Sequence, residues 1–187
     1  MKTDHKIMKS LSQRRSLLAF STKPVEQIVL DTLFEAARWA PSSFNEQPWR
    51  FLYAHRTDAA YRRFLDCLVE ANRVWAGNAP VLLLTVAKTF YEYNHNPNGF
   101  ALYETGMAMG NLLAQATEMG LVVHQMGGYS KEQAIKTLGI PDGYEPVAMA
   151  AIGYYGNPLE LPPELRERER QERSRLAVSE IAKRNGF

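Results

Sequence analysis

Cysteine is almost absent: Cys67 is the only one in 187 residues. No internal disulfide can form, and a reducing compartment such as the cytoplasm suits a chain so poor in thiols. Cys67 lies in Phe64-Leu65-Asp66-Cys67-Leu68-Val69, on an apolar helix face, and reads as a buried structural thiol rather than a nucleophile. Long hydrophobic runs are missing as well. The longest, around residues 79–87, is far short of the ~20 residues needed to cross a bilayer, so no membrane partner is expected. Met1-Lys2-Thr3-Asp4-His5-Lys6 leads into a charged amphipathic stretch without an apolar h-region, which argues against a signal peptide. An excess of either sign of charge is missing too. A formal net charge of +2 gives no reason to expect nucleic-acid binding.

The common sequence signatures of chemistry are also lacking. No Gly-x-Gly-x-x-Gly follows a strand, no Walker loop is present, and no Ser/His/Asp nucleophile signature stands out. His5, His55, His95 and His124 are scattered without metal-ligand spacing and read as surface or packing residues, so no metal is expected. Gly/Ser linkers and internal repeats are absent. With 45% hydrophobic and 22% charged residues, the chain reads as one domain over residues 1–187.

What is there begins with alternating helix and strand signals. A first helix ends near Arg14, and a second runs from Pro24 to Pro41 with Ile28, Val29, Leu33, Ala36, Ala37 and Ala40 at helical spacing. Phe51-Leu52-Tyr53-Ala54 reads as a strand, and residues 58–71 as a helix with Asp58 as N-cap. After Pro80, residues 81–87 form a continuous apolar run, typical of a strand buried on both faces. A polar, aromatic loop spans residues 90–99. The longest helix follows over residues 100–119, apolar nearly all round and carrying Gly106 and Gly110, which suits a dimer core. Residues 121–124, 131–138 and 147–154 read as strand, helix and strand. Pattern alone suggests an α/β or α+β chain, with a parallel, doubly wound sheet as the first guess.

Two runs carry most of the chemical meaning. Arg14-Arg15-Ser16 offers two guanidinium forks and a hydroxyl, a set suited to phosphate oxygens. The other reading of that run is a basic helix end complementing its own dipole. Pro41-Ser42-Ser43-Phe44-Asn45-Glu46-Gln47-Pro48-Trp49 places hydroxyls and carboxamides among prolines and aromatics, a loop able to hydrogen-bond the edge of a flat heterocycle. A chain with such ligands and no acid–base machinery of its own points to a cofactor that carries the chemistry.

Together and in this order, the runs resemble the nitroreductase family of flavin mononucleotide (FMN) oxidoreductases, from Leu11 to about Ile181. The resemblance implies an α+β fold, a three-layer α-β-α sandwich with a mixed central sheet, and two chains interlocked as a homodimer. Residues from about 160 to 187 would extend towards the partner subunit. It implies NADH or NADPH as electron donor, a small nitroaromatic or quinone-like acceptor, ping-pong order, and chemistry at the flavin N5 with no catalytic side chain. Specialised flavin chemistry, such as dehalogenation or dehydrogenation, and a non-catalytic FMN-holding role are the alternatives.

By the same resemblance, Arg14, Arg15 and Ser16 serve the FMN phosphate and ribityl chain, and Arg173 and Arg175 return to clamp the phosphate. Pro41, Ser42, Ser43 and Asn45 contact the flavin from the partner subunit, with Trp49 packing in the core. Asn72 meets the pyrimidine end of the ring, unless it is a helix C-cap. The backbone of Gln125, Gly127 and Gly128 passes the flavin N5, unless that run is a plain turn. Tyr91, Tyr93 and Phe100 fall where the family varies its substrate channel, although packing on their own domain is the other reading. Two positions depart from the pattern: Leu18 and Trp75 stand where many relatives carry cations near the flavin N1–O2 end. Loss of both would lower the flavin potential, and Trp75 could stack near the ring and narrow the substrate slot.

Overall fold

A computed structural model describes residues 5–186; Met1 to Asp4, and with them most of the N-terminal reading, lie outside the described residues. The elements in chain order are α1 (Lys9–Ser12), α2 (Gln27–Arg38), β1 (Trp49–His55), α3 (Tyr61–Cys67), α4 (Glu70–Ala76), β2 (Val81–Lys88), α5 (Ala101–Glu118), β3 (Leu121–Met126), α6 (Lys131–Leu138), β4 (Tyr144–Tyr154), α7 (Pro163–Arg170) and α8 (Val178–Ile181). One four-stranded sheet has the order β1-β2-β4-β3.

β2 explains the three layers. All eight of its residues are buried, and their side chains alternate between two cores, as strand geometry requires. Leu82, Leu84 and Val86 join Phe64, Cys67 and Trp75 of α3 and α4 on one face. Val81 and Leu83 join Leu30 and Leu33 of α2 and Ala108, Met109 and Leu112 of α5 on the other. Helices cover both faces, so the chain is an α+β sandwich. The parallel sheet suggested by pattern alone is corrected: every strand pairing among the described residues is antiparallel. A continuous apolar run reports burial on two faces and says nothing of strand direction. The mixed sheet implied by the resemblance is likewise antiparallel at each of these pairings.

The helix expected over residues 58–71 is two helices. Leu68 and Val69 are extended because the chain after β3 pairs with them: Leu68 bridges Tyr129, Val69 N–H donates to Gly128 O at 3.1 Å, and Ser130 N–H donates to Cys67 O at 2.9 Å. Asp58 is not a helix cap; its carboxylate accepts the His55 N–H at 2.8 Å and closes the turn after β1. Cys67 is buried, and burial pushes its thiol pKa up. Among the described residues no helix is long and apolar enough to cross a membrane.

The N-terminal segment is fastened beside the end of β4. Ser21 N–H donates to Tyr154 O at 2.9 Å and Gly156 N–H to Ala19 O at 3.1 Å. A methyl group at Gly156 would lie 2.5 Å from the Phe20 carbonyl carbon and 2.6 Å from Ser21 N, both backbone atoms that cannot swing aside. Gly156→Ala is therefore expected to destabilise the fold by about 1–3 kcal/mol. Thermal unfolding should register it as a fall of roughly 2–4 °C per kcal/mol; an unchanged midpoint would show that the contact relaxes freely.

Candidate functional site

Two arginine runs, far apart in sequence, meet at one cavity. Glu169, near the end of α7, is 8% exposed, and its Oε1 accepts the N–H groups of Leu18 at 2.8 Å and Ala19 at 3.1 Å. Arg15 returns the tie, donating to Glu169 O at 2.8 Å. Past α7 the chain turns back, and Arg173 donates to Arg14 O at 2.6 Å and Ser12 O at 2.8 Å. The result is a cavity of about 270 Å³ lined by Arg14, Arg15, Ser16, Leu18, Arg168, Glu169, Gln171, Glu172, Arg173 and Arg175.

The arginines in it divide their work. Arg173 and Arg15 are engaged with backbone carbonyls and fasten the two runs together. Arg14 donates to Ser16 Oγ at 3.1 Å, and among the described residues Arg175 donates only to the adjacent Ser174 O, so both keep donors for a ligand. Burial, and then the positive fields of Arg173 and Arg175, pull the Arg14 pKa below its ordinary value. A cluster of like charges that disfavour one another is relieved by an anion.

Beneath the cavity, His124 Nδ1 lies 3.0 Å from Leu17 O, and its ring is 4.5 Å from that of Trp75. Burial lowers the His124 pKa, and its ring packs on Trp75. Trp75 is fully buried and stacks on Phe20. The expectation that it narrows a substrate slot is corrected: it is core, because the break at Leu68 and Val69 turns α4 so that Trp75 faces the sheet. Leu18 is also core, 2% exposed, and forms one wall of the cavity.

The same helix break brings Asn72 to Gly128. Asn72 lies inside α4 and is not a C-cap; its Nδ2 donates to Gly128 O at 3.0 Å. A Cβ on Gly128 would sit 2.7 Å from Asn72 Nδ2 and 3.0 Å from Val69 Cγ2, whereas one on Gly127 would meet nothing within 4 Å. Gly128 is thus needed for a close approach, and Gly127 leaves open space above the backbone. Gln125 lies in β3 with an exposed side chain.

The 41–47 loop lines none of the arginine cavity. Phe44, Asn45 and Gln47 have left-handed backbone, with φ of 53°, 56° and 49°. Ser42 Oγ accepts the Gln47 N–H at 3.0 Å, and Ser43 N–H donates to Glu104 Oε1 of α5 at 2.6 Å. Lys88, at the end of β2, donates to Glu46 and Glu92 at 3.0 Å each. Trp49 is buried against α2 and α5.

Phe44 projects from this loop and packs with Tyr91 and Tyr93, ring centroids 5.4–6.0 Å apart. Phe100, named with those tyrosines as a candidate for the substrate channel, stands at the start of α5 with its N–H on Asn98 Oδ1, outside that ring cluster. Sequence reasoning missed Glu169, Glu104, Lys88 and the outward face of Phe44. Lys88 and Glu104 were findable as single charges in apolar runs. Glu169 stood in a run of alternating charges and carried no signal.

A profile of the nitroreductase family matches residues 11–74 and 68–154. The chain is 33% identical to a solved structure described as an oxidoreductase containing FMN, which it covers over 95% of that chain and 100% of its own with a TM-score of 0.94. It is 27% identical over 167 residues to the FMN reductase [NAD(P)H] of Bacillus subtilis, covering 80% of this chain and 66% of that protein. A nitroreductase family protein from Streptococcus pneumoniae shares the fold at 21% identity and a TM-score of 0.74, over 95% of this chain and 98% of that one.

Proposed function

Because the chain belongs to the nitroreductase family, we propose that it is an FMN-dependent oxidoreductase that takes reducing equivalents from NADH or NADPH and passes them to a small acceptor of the quinone or nitroaromatic kind. The observation that carries this reading is the joining of Arg14, Ser16 and Arg175 at one cationic cavity. Its donor set fits a phosphate monoester: free guanidinium forks, a hydroxyl, and a positive field that an anion relieves. Bound FMN would supply the electron-accepting ring, a chemistry this chain's side chains lack.

The residues of the chain bind and orient. Arg14, Ser16 and Arg175 hold the phosphate, with Arg15 and Arg173 fixing the two runs against each other. Asn72 and the Gly127–Gly128 backbone lie along the edge of the ring, where absent side chains permit close approach. Pro41, Ser42, Ser43 and Asn45 reach the flavin of a second subunit, which accounts for their separation from the arginine cavity.

That arrangement requires a homodimer. α5 presents Leu102, Tyr103, Gly106 and Gly110 outward, and Leu176, Val178 and Ile181 of the C-terminal segment are 50–70% exposed, surfaces suited to a partner subunit. Phe44, Tyr91 and Tyr93 line the acceptor side. Donor and acceptor occupy the same place in turn, a ping-pong order, and a cytoplasmic location accords with the single buried thiol.

The test is the visible spectrum of the purified protein before and after anaerobic NADH or NADPH. Flavin bands that bleach, and return with a quinone, are the expected result. A colourless protein that takes up no added FMN overturns the reading, and bands that persist with both nucleotides remove the proposed donors.

A further inference from the structure

Three residues with side chains hold left-handed backbone within four positions of the 42–47 loop: Phe44, Asn45 and Gln47. Such a conformation is unfavourable away from glycine and persists only where the surroundings over-determine it. Phe44 is 79% exposed, so core packing of its ring does not hold it there. The loop's own bonds are modest: Asn45 N–H to Ser42 O at 3.0 Å and Gln47 N–H to Ser42 Oγ at 3.0 Å. Two carboxylates do the rest. Glu46 is tied to Lys88 by an ion pair whose side chains are 7% and 4% exposed. Glu104 reaches in from the first turn of α5 and takes the Ser43 N–H at 2.6 Å.

Glu104 is the unexpected member. It is 2% exposed, the one charged residue on the buried side of a helix otherwise packed through Ala101, Thr105, Ala108, Met109, Leu112 and Ala116. Its Oε2 is buried and has no hydrogen-bond partner among the described residues. A buried carboxylate with one oxygen unsatisfied is costly, and an apolar residue would pack better. The positive end of the α5 dipole offsets part of that cost. Among the described residues its side chain makes one hydrogen bond, to the backbone of the residue that precedes the left-handed pair.

We propose that Glu104 is a positioning residue for the flavin: it fixes the 42–47 loop from α5, so that Ser42, Ser43 and Asn45 are held ready for FMN. This rests on the reading above that the loop contacts the cofactor. The loop is thereby coupled to the long helix that also packs on the sheet.

Three variants test it: Glu104→Ala, Glu104→Gln and Glu104→Asp. The Gln oxygen still accepts the Ser43 N–H, whereas Asp keeps the charge but retracts by one carbon. Glu104→Ala is expected to raise the FMN dissociation constant by at least about tenfold and move the bound-flavin bands towards those of free FMN. Glu104→Gln should stay within about threefold of wild type, and Glu104→Asp should follow Ala. In the apo-protein, exchange of the Ser43 amide should quicken in Ala and Asp and not in Gln, a readout that needs no flavin.

Wild-type affinity and spectrum in Glu104→Ala overturn the proposal, as does a Gln variant no better than Ala. If Glu104→Ala does not fold, the Gln and Asp pair carries the same contrast. A wild-type protein that takes up no FMN overturns the functional reading, whereas normal wild-type uptake with an unaffected Ala variant overturns this proposal alone.

Discussion

Changing Arg14 and Arg175 together to Ala is expected to release the flavin. These two guanidinium groups keep donors for a ligand: among the described residues the Arg14 side chain bonds only to Ser16 Oγ and that of Arg175 only to Ser174 O. Each charge-assisted contact to phosphate is worth about 1.5–3 kcal/mol. Arg175 is exposed, so solvent screening places its share at the lower end. The pair together should still raise the FMN dissociation constant by roughly a hundredfold or more. The fold should survive, because Arg173, not Arg14 or Arg175, clamps the backbone carbonyls of Ser12 and Arg14.

The matching control is Arg173→Ala, which should lower stability and affinity together by loosening the two runs. Fluorescence titration with FMN at fixed ionic strength measures the effect, and the difference between double variant and wild type should shrink as salt is raised. Full flavin occupancy in the double variant would remove the phosphate site from this cavity.

The second large effect concerns the two glycines after β3, which should separate fold from function. At Gly128 an added methyl collides with Asn72 and Val69, at 2.7 and 3.0 Å. Gly128→Ala must therefore push Asn72 off Gly128 O and strain the Val69 pairing that splits α3 from α4. Lower thermal stability and weaker FMN binding should appear together. Gly127 is exposed, and a methyl there meets nothing within 4 Å. Gly127→Ala should leave the apo-protein's unfolding midpoint unchanged and still weaken flavin binding or slow its reduction by about tenfold or more, because the methyl occupies the space proposed for the ring edge. Stopped-flow reduction by NADH and calorimetry of the apo-protein give the two readouts. Wild-type binding and reduction in Gly127→Ala would displace the ring from this segment.

Much of this was legible because local physics and local composition agree. The apolar run at β2, the amphipathic period of α2 and the length of α5 each follow from burial, which leaves its trace residue by residue. The helix break at Leu68 and Val69 left no such trace. Nothing local prevents residues 58–71 from continuing as one helix; the interruption comes from hydrogen bonds to Gly128 and Ser130, which bridge Leu68 to Tyr129 some sixty residues away. That same break sends Trp75 into the core and Asn72 to the glycines, so one unforeseen distant pairing altered the readings of both residues. Phe44 was hidden for a related reason, since the loop that carries it is bonded through Ser43 to Glu104 and through Glu46 to Lys88, both distant in sequence.

By itself, the sequence determined the family, through blocks of residue types at fixed order, and the chemistry of the ligands on offer, because a guanidinium or an amide keeps its character wherever it is placed. It also determined which strand is buried on both faces. Only the tertiary structure decided that the strands run antiparallel, that Arg14 and Arg175 keep free donors while Arg15 and Arg173 act as fasteners, and that Glu169 and Glu104 hold the two arms of the candidate site. Direction, pairing and division of labour depend on contacts between residues far apart in the chain, and those have no signature in local composition.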